Sequence, residues 1–260
     1  MPNIFQKFVR TNRDLSIQLR ERVGFFYEEN FYDHLRDALN SVLKSNGRQT
    51  ILEVGGADRP FLKKNKRYEY HGLDIVDGLS FKDKYDRFYV QPAEQKFPNK
   101  YNLVFSVSVI EHIKDNRKCF KTVYDSLLNN GKTIHYFSCK NHPFSLVTRS
   151  VGHKFQNILI KYLRPEFADL TGYKTYYDKC SKRDIERLLT ELGYKNIEIK
   201  CFFGAADYFG FFLPFFALIT IFNKFCRLLN LSAFASGVIV YAEKTSQDCY
   251  QSGNTPAPVA

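Results

Sequence analysis

A carboxylate followed by a turn of small residues is the arrangement in this chain best suited to chemistry. The apolar run Ile51-Leu52 leads to Glu53, and Val54-Gly55-Gly56-Ala57-Asp58-Arg59-Pro60 follows. Side chains are nearly absent from Gly55 to Ala57, so the backbone there can approach a bound molecule closely. A second apolar run ends at Asp74, twenty-one residues after Glu53. Nucleotide-binding α/β folds place an acid on ribose hydroxyls at about that separation. The turn is neither of the two common phosphate-binding loops. Counted from Gly55, G-x-G-x-x-G would need glycines where Ala57 and Pro60 stand, and no Gly-Lys-Ser/Thr follows.

The elements that must position these residues can be read from hydrophobic periodicity. Residues 27–46 predict a helix, with Phe31, Leu35, Leu39 and Leu43 recurring every four residues and Gly47 past the end. Residues 49–54, 68–75, 87–90 and 101–107 are strand-like runs. Residues 115–128 place Phe120, Val123, Tyr124 and Leu127 on one helical face; Asn129-Asn130-Gly131 makes a turn, and 132–138 is a fifth strand. Ser181 is a helix N-cap before 182–192, Asp184 lies in the first turn, and Gly193 ends the helix. Residues 196–202 and 237–241 supply two last strands. Strands alternating with helices imply an α/β fold, a parallel sheet with helices on both faces.

The first turn resembles motif I of the class I S-adenosylmethionine (SAM) methyltransferases, acid-x-Gly-x-Gly-x-Gly, with Ala57 and Arg59 in place of the second and third glycines. Three further segments resemble the type 11 members of that class. They are Ala93-Glu94-Gln95-Lys96-Phe97-Pro98, Tyr101–Ser106 running on to Val109-Ile110-Glu111-His112-Ile113-Lys114-Asp115, and Leu127-Leu128-Asn129-Asn130-Gly131-Lys132. Pro92 and Asn102 stand where that family has Asp. The likeness covers residues 49–140. His142-Pro143-Phe144, Tyr176-Tyr177-Asp178-Lys179-Cys180, the aromatic stretch 202–222 and Ala242-Glu243-Lys244 resemble one subgroup with an aromatic-rich apolar insert near the C-terminus.

The resemblance implies a Rossmann-like seven-stranded sheet, mostly parallel with an antiparallel last strand, and SAM as cofactor. Gly55, Gly56, Ala57 and Asp58 would wrap its amino-acid end, with Glu53 accepting a hydrogen bond near the ammonium. Asp74 would take the ribose hydroxyls, and Ile75, Ala93 and Glu94 would flank the adenine. Ser106 would present its backbone oxygen to the ammonium. The residues alone allow another reading, in which Glu53 caps the following helix and Glu111-His112 is a locally bonded helix start. Methyl transfer is an in-line displacement at an already activated carbon, so holding the acceptor in line does most of the work. A base is needed only for an acceptor that keeps a proton. His112 and His135 are the candidate bases, and His142, Tyr176 and Tyr177 the candidate acceptor contacts. No metal is expected.

The expected domains are an N-terminal helical segment (1–48), a SAM-binding domain (49–244) with inserts at about 139–180 and 203–235, and a disordered tail (245–260). The 260 residues carry a net charge of +11. Nucleic acid, an anionic membrane surface or a phosphorylated acceptor would each suit that charge. No zinc finger or basic helix with heptads is present, so no nucleic acid is expected. The cysteines at 119, 139, 180, 201, 226 and 249 form no C-x-x-C pair. They read as thiols of a cytoplasmic protein, and residues 1–20 lack the apolar core of a signal peptide.

Phe202–Phe222 is nearly uncharged, with Asp207 the exception and Pro214 near its middle. It could be a lid or core element, an interfacial hairpin, or an anchor in a sheet that lacks its last strand. Lys224 and Arg227 beyond it, and an amphipathic helix near 153–163, suit a peripheral membrane contact. Two functions follow: a SAM-dependent methyltransferase acting on a small-molecule, glycan or lipid-linked acceptor, and a non-catalytic, membrane-associated scaffold of the same fold.

Overall fold

Apolar runs separated by segments too long for a hairpin pair in parallel, and five do so here. The computed structural model describes residues 4–44, 47–57, 59–78, 82–151 and 173–245. Strands β1 (Gln49–Val54), β2 (Tyr68–Asp74), β3 (Arg87–Val90), β4 (Tyr101–Val107) and β5 (Leu127–Ser138) are mutually parallel. Strand β7 (Gly237–Glu243) lies antiparallel between β5 and β6 (Lys195–Phe202). The order is β3-β2-β1-β4-β5-β7-β6, the seven-stranded, mostly parallel sheet the sequence predicts.

Both faces are covered, so the central strands are apolar on successive residues. Ile51 and Leu52, neighbours in β1, enter different cores. Ile51 joins Leu35, Leu39, Tyr70 and Phe105 on one face; Leu52 joins Val104, Phe120, Val123 and Leu189 on the other. The first face carries α2 (Phe31–Leu43), which starts at an Asn30 cap accepting from Tyr32 N–H at 3.0 Å. The second carries α3 (Asn116–Ser126), capped by Asp115, and α5 (Lys182–Glu191), capped by Ser181 as read from the sequence. Helix α2 is shorter than the predicted 27–46 because Asn30 is extended and caps it, which sets its start at Phe31. Its burial in the sheet's own core ties the 1–48 segment to the rest of the domain.

Two other helices sit near the carboxyl edge: α4 (Pro143–Val151) after β5, and α6 (Leu213–Leu228) inside the 203–235 insert. α1 (Ile4–Arg22) packs against α6, with Asn12 Oδ1 accepting from Leu213 N–H at 2.9 Å. The insert leaves and re-enters the sheet at one edge. Ser236 N–H donates to Phe202 O at 2.8 Å, and Gly204 N–H to Ser236 Oγ at 2.9 Å. Because β7 is present and paired on both sides, the anchor reading, which needed the sheet to lack it, is corrected. Among the described residues no helix is long and apolar enough to cross a membrane. The helix expected near 153–163 and the tail from 246 lie outside the described residues.

Candidate functional site

From β1 the chain winds outward through β2 and β3, and β4 then starts on the other side of β1. Such a switch opens a crevice at the carboxyl ends of the strands, where ligands bind in open α/β sheets. The Gly55–Ala57 turn stands there. Gly55 has φ +80, and its N–H donates to Leu73 O at 2.7 Å. A Cβ at Gly55 would lie 2.2 Å from Val109 Cγ2, so Gly55 is fixed by both conformation and space. Ala57 adopts φ +38, a left-handed conformation that strains an L-residue.

Glu53 turns inward instead of toward the open edge expected of it. It is 2% exposed. Its carboxylate accepts from the Tyr70 and Tyr85 hydroxyls, the latter at 3.3 Å, and from Phe61 N–H at 3.1 and 3.2 Å. A Cβ at Gly56 would meet Glu53 Oε2 at 2.6 Å and Tyr85 Oη at 2.3 Å. The carboxylate therefore supports the loop from below and ties down the turn after it; residues 59–67 form no helix for it to cap. Burial raises its pKa to about 7, against the hydrogen bonds from Tyr70, Phe61 and Tyr85.

Asp74 ends β2 at the crevice, its Oδ1 accepting from Val76 N–H at 3.0 Å. Ile75 is exposed beside it. Gln91 N–H donates to Asp74 O at 2.9 Å, which draws the 91–96 loop alongside. In that loop Ala93 is buried and Glu94 is half-buried. Asp58 lies outside the described residues.

Ser106 and His135 are neighbours across β4 and β5, with Ser106 Oγ 2.7 Å from His135 Nδ1 and Thr133 Oγ1 2.5 Å from Nε2. Thr133 donates its hydroxyl proton to Val104 O at 2.9 Å. One tautomer satisfies all three: Nε2–H donates to Thr133, and Nδ1 accepts from Ser106. Burial lowers the His135 pKa to about 3. His135 is thus a neutral, buried group three residues short of the strand end.

His112 is half-buried in the 3-10 turn after β4, its Nδ1 3.2 Å from Lys174 O. Its neighbour Glu111 went unassigned from the sequence. It is 3% exposed; Oε1 accepts from Ser138 N–H at 3.3 Å, and Oε2 has no partner among the described residues. Burial raises its pKa, against the pull of His112 and Ser138. Tyr176 N–H and Tyr177 N–H both donate to Glu111 O, at 2.8 and 3.1 Å. Tyr176 is exposed and Tyr177 buried. His142 is buried: Nδ1 accepts from Phe144 N–H at 3.2 Å, and Nε2 faces Asn223 Oδ1 at 3.0 Å. Asn223 Nδ2 in turn donates to Glu28 at 3.2 Å and to Gly204 O at 2.8 Å. The structure thus brings Gly55, Gly56, Ala57, Asp74, Ile75 and His112 to one edge. Glu53 lies beneath it, and His135 and His142 are spent on internal bonds. Glu111 was legible as an acid inside the apolar run Val109-Ile110, a position that calls for a buried partner. Tyr70 and Tyr85 gave no such signal.

A glycine turn and a strand-end acid at the switch point of an open sheet define a cofactor-binding α/β domain. A family model described as a methyltransferase domain matches residues 27–199, and the chain belongs to that family. No curated protein matches. Two structures of Haemonchus contortus phosphoethanolamine N-methyltransferase 2 are similar in fold. The one in complex with SAM has a TM-score of 0.50 and 18% identity over 82% of this chain and 53% of that one. The one with phosphomonomethylethanolamine and S-adenosylhomocysteine has 0.50 and 16% over 94% and 61%. A SAM-dependent methyltransferase from Archaeoglobus fulgidus gives 0.51 and 14% over 82% and 93%. The chain spans little more than half the length of the Haemonchus protein, and at these identities the likeness is one of fold.

Proposed function

We propose that this chain transfers a methyl group from SAM to a small-molecule, glycan or lipid-linked acceptor in the crevice at the carboxyl ends of β1, β2, β4 and β5. The observation that carries this reading is the Gly55–Ala57 turn at the sheet's switch point with Asp74 beside it, in a chain of the methyltransferase-domain family. The residues suit the cofactor. A carboxylate at the end of β2 fits a pair of ribose hydroxyls, and exposed Ile75 offers apolar surface to a flat base. The side-chain-poor turn leaves room for the amino-acid end. When bound, SAM supplies a methyl carbon already activated by positive charge.

The chain's own part is to orient the acceptor and to exclude water. If the acceptor keeps a proton, His112 and Glu111 at the end of β4 are the groups placed to receive it. The motif order from 49 to 140 supports a type 11-like assignment, and the aromatic 202–222 stretch the subgroup with an apolar insert near the C-terminus.

The activity is tested with SAM labelled in its methyl group, incubated with the purified protein and separated aqueous and organic cell extracts. Label entering an extracted compound is expected, and the phase it enters sorts small-molecule from lipid-linked acceptors. Loss of label to water alone, with no labelled product in either phase, would count against transferase activity.

A further inference from the structure

α6 is apolar on its outer side and mixed on its inner one, where Phe216 and Cys226 are buried beside polar groups. Its protein-facing side carries Thr220 at 0% and Asn223 at 2% exposure, both hydrogen-bonded internally. Its outer side carries Phe215, Leu218, Ile221, Phe225 and Leu228, spaced three and four residues apart, at 48, 59, 54, 53 and 82% exposure. No charged residue interrupts that stripe, which runs the 16-residue length of the helix, roughly 24 Å. The apolar surface continues onto α1, where Ile4, Phe5 and Phe8 are exposed and the Phe8 ring lies 6.3 Å from that of Phe212. Phe25 and Tyr27 are exposed nearby, with Lys224 Nζ 6.0 Å from the Phe25 ring. Contiguous apolar surface of this kind marks a binding face.

We propose that this face docks the protein on an anionic lipid bilayer, with α6 lying in the interface and the carboxyl edge of the sheet next to the lipid. Charge selects the occupant. α1 and α6 together carry seven Lys and Arg side chains against Asp14 and Glu21. Glu29, the acid nearest Arg227 at 3.6 Å, is already paired with Lys200 at 2.7 Å. A second copy of the chain would set this basic surface against itself, whereas anionic headgroups complement it. The helix is too short to span a bilayer and has the length of one lying in its surface. The insert begins at the end of β6 and returns at the start of β7, beside the end of β5, so the docked face borders the crevice. The docking does not depend on what the crevice binds.

The test is co-sedimentation of the full chain with vesicles of phosphatidylcholine alone and with phosphatidylserine added, at low and high salt. The variant is Leu218→Ser/Ile221→Ser/Phe225→Ser, with its thermal midpoint as a fold control. Phe216 is left intact, since it is buried against Phe26 and its loss would damage the core. The wild type is expected to pellet with phosphatidylserine vesicles and to be released by salt. The folded variant is expected to lose roughly a hundredfold in partitioning. A wild type left in the supernatant with either vesicle, or a variant that pellets equally, would overturn the proposal. So would a dimer without lipid that the three serines dissolve. Titration with S-adenosylhomocysteine on the same samples reads the cofactor site separately.

Discussion

The carboxylate that opens the glycine turn is a structural group with an unusual proton affinity. Glu53 is held at a pKa of about 7 against an ordinary 4.5 because burial outweighs its three hydrogen-bond donors. Above pH 4.5 the unfolded chain has given up a proton that the folded chain still keeps, so stability falls as pH rises and levels off past 7. The full shift is worth about 3 kcal/mol. His135, lowered to about 3 from 6.5, acts in the opposite sense, losing stability as pH falls below 6.5. The difference between wild type and Glu53→Gln isolates the first effect. Urea denaturation at pH 5 and pH 8 is expected to show the wild type losing stability relative to the variant by a few kcal/mol, and a constant difference would refute the assignment. The glycines make a second case. Ala57→Gly relieves a left-handed alanine and is expected to stabilise by about 0.5–1 kcal/mol, read as a higher thermal midpoint. Gly55→Val would put a branched side chain into Val109 at positive φ, and loss of S-adenosylhomocysteine binding is expected. Retained affinity in a folded Gly55→Val protein would show that the turn does not approach the cofactor. The turn and Asp74 were legible from residue type and spacing alone. The inward aim of Glu53 was not, because it depends on Tyr70 and Tyr85, distant in sequence and brought together by the pairing of β2 with β1 and by the 82–86 segment beneath the loop.

At the scale of elements, the parallel strands announced themselves as apolar runs, α3 by the apolar face of Phe120, Val123, Tyr124 and Leu127, and α5 by its Ser181 cap. Local signals sufficed because those elements meet the solvent and core in regular alternation. The insert was harder. An apolar stretch read by total hydropathy gives no inner and outer side, and Thr220 and Asn223, which mark the inner side of α6, fall at its far end. Asn223 joins three segments, His142 after β5, Glu28 before α2 and Gly204 after β6. Replacing it with Leu would leave buried polar groups of two of them without partners, at about 1–3 kcal/mol each. Asn223→Leu is therefore expected to cost about 2–4 kcal/mol in urea denaturation, against a much smaller cost for a surface change such as Leu218→Ser. A loss below about 0.5 kcal/mol would mean that the network does not hold α6 to the domain. The Glu28 carboxyl, whose pKa burial raises, keeps a second donor in Ala206 N–H at 3.1 Å.

For the molecule as a whole, the fold class could be read from the order of its elements, and the family from four short motifs in sequence. The acceptor could not, because no local pattern in the chain points to one acceptor chemistry. The +11 charge is shared by the two helices that carry the exposed apolar surface, with five Lys and Arg residues in α1 and two in α6. The central claim is that the crevice at the switch point is a SAM site organised by the Gly55–Ala57 turn and Asp74. Calorimetric titration with S-adenosylhomocysteine tests it most directly, on the wild type and on Asp74→Ala side by side. Saturable binding by the wild type is expected. A hydrogen bond from a hydroxyl to a carboxylate is worth about 1.5–3 kcal/mol, so Asp74→Ala is expected to bind roughly ten- to a hundredfold more weakly with its thermal midpoint unchanged. A folded wild-type protein giving no heat with either S-adenosylhomocysteine or SAM would contradict the claim.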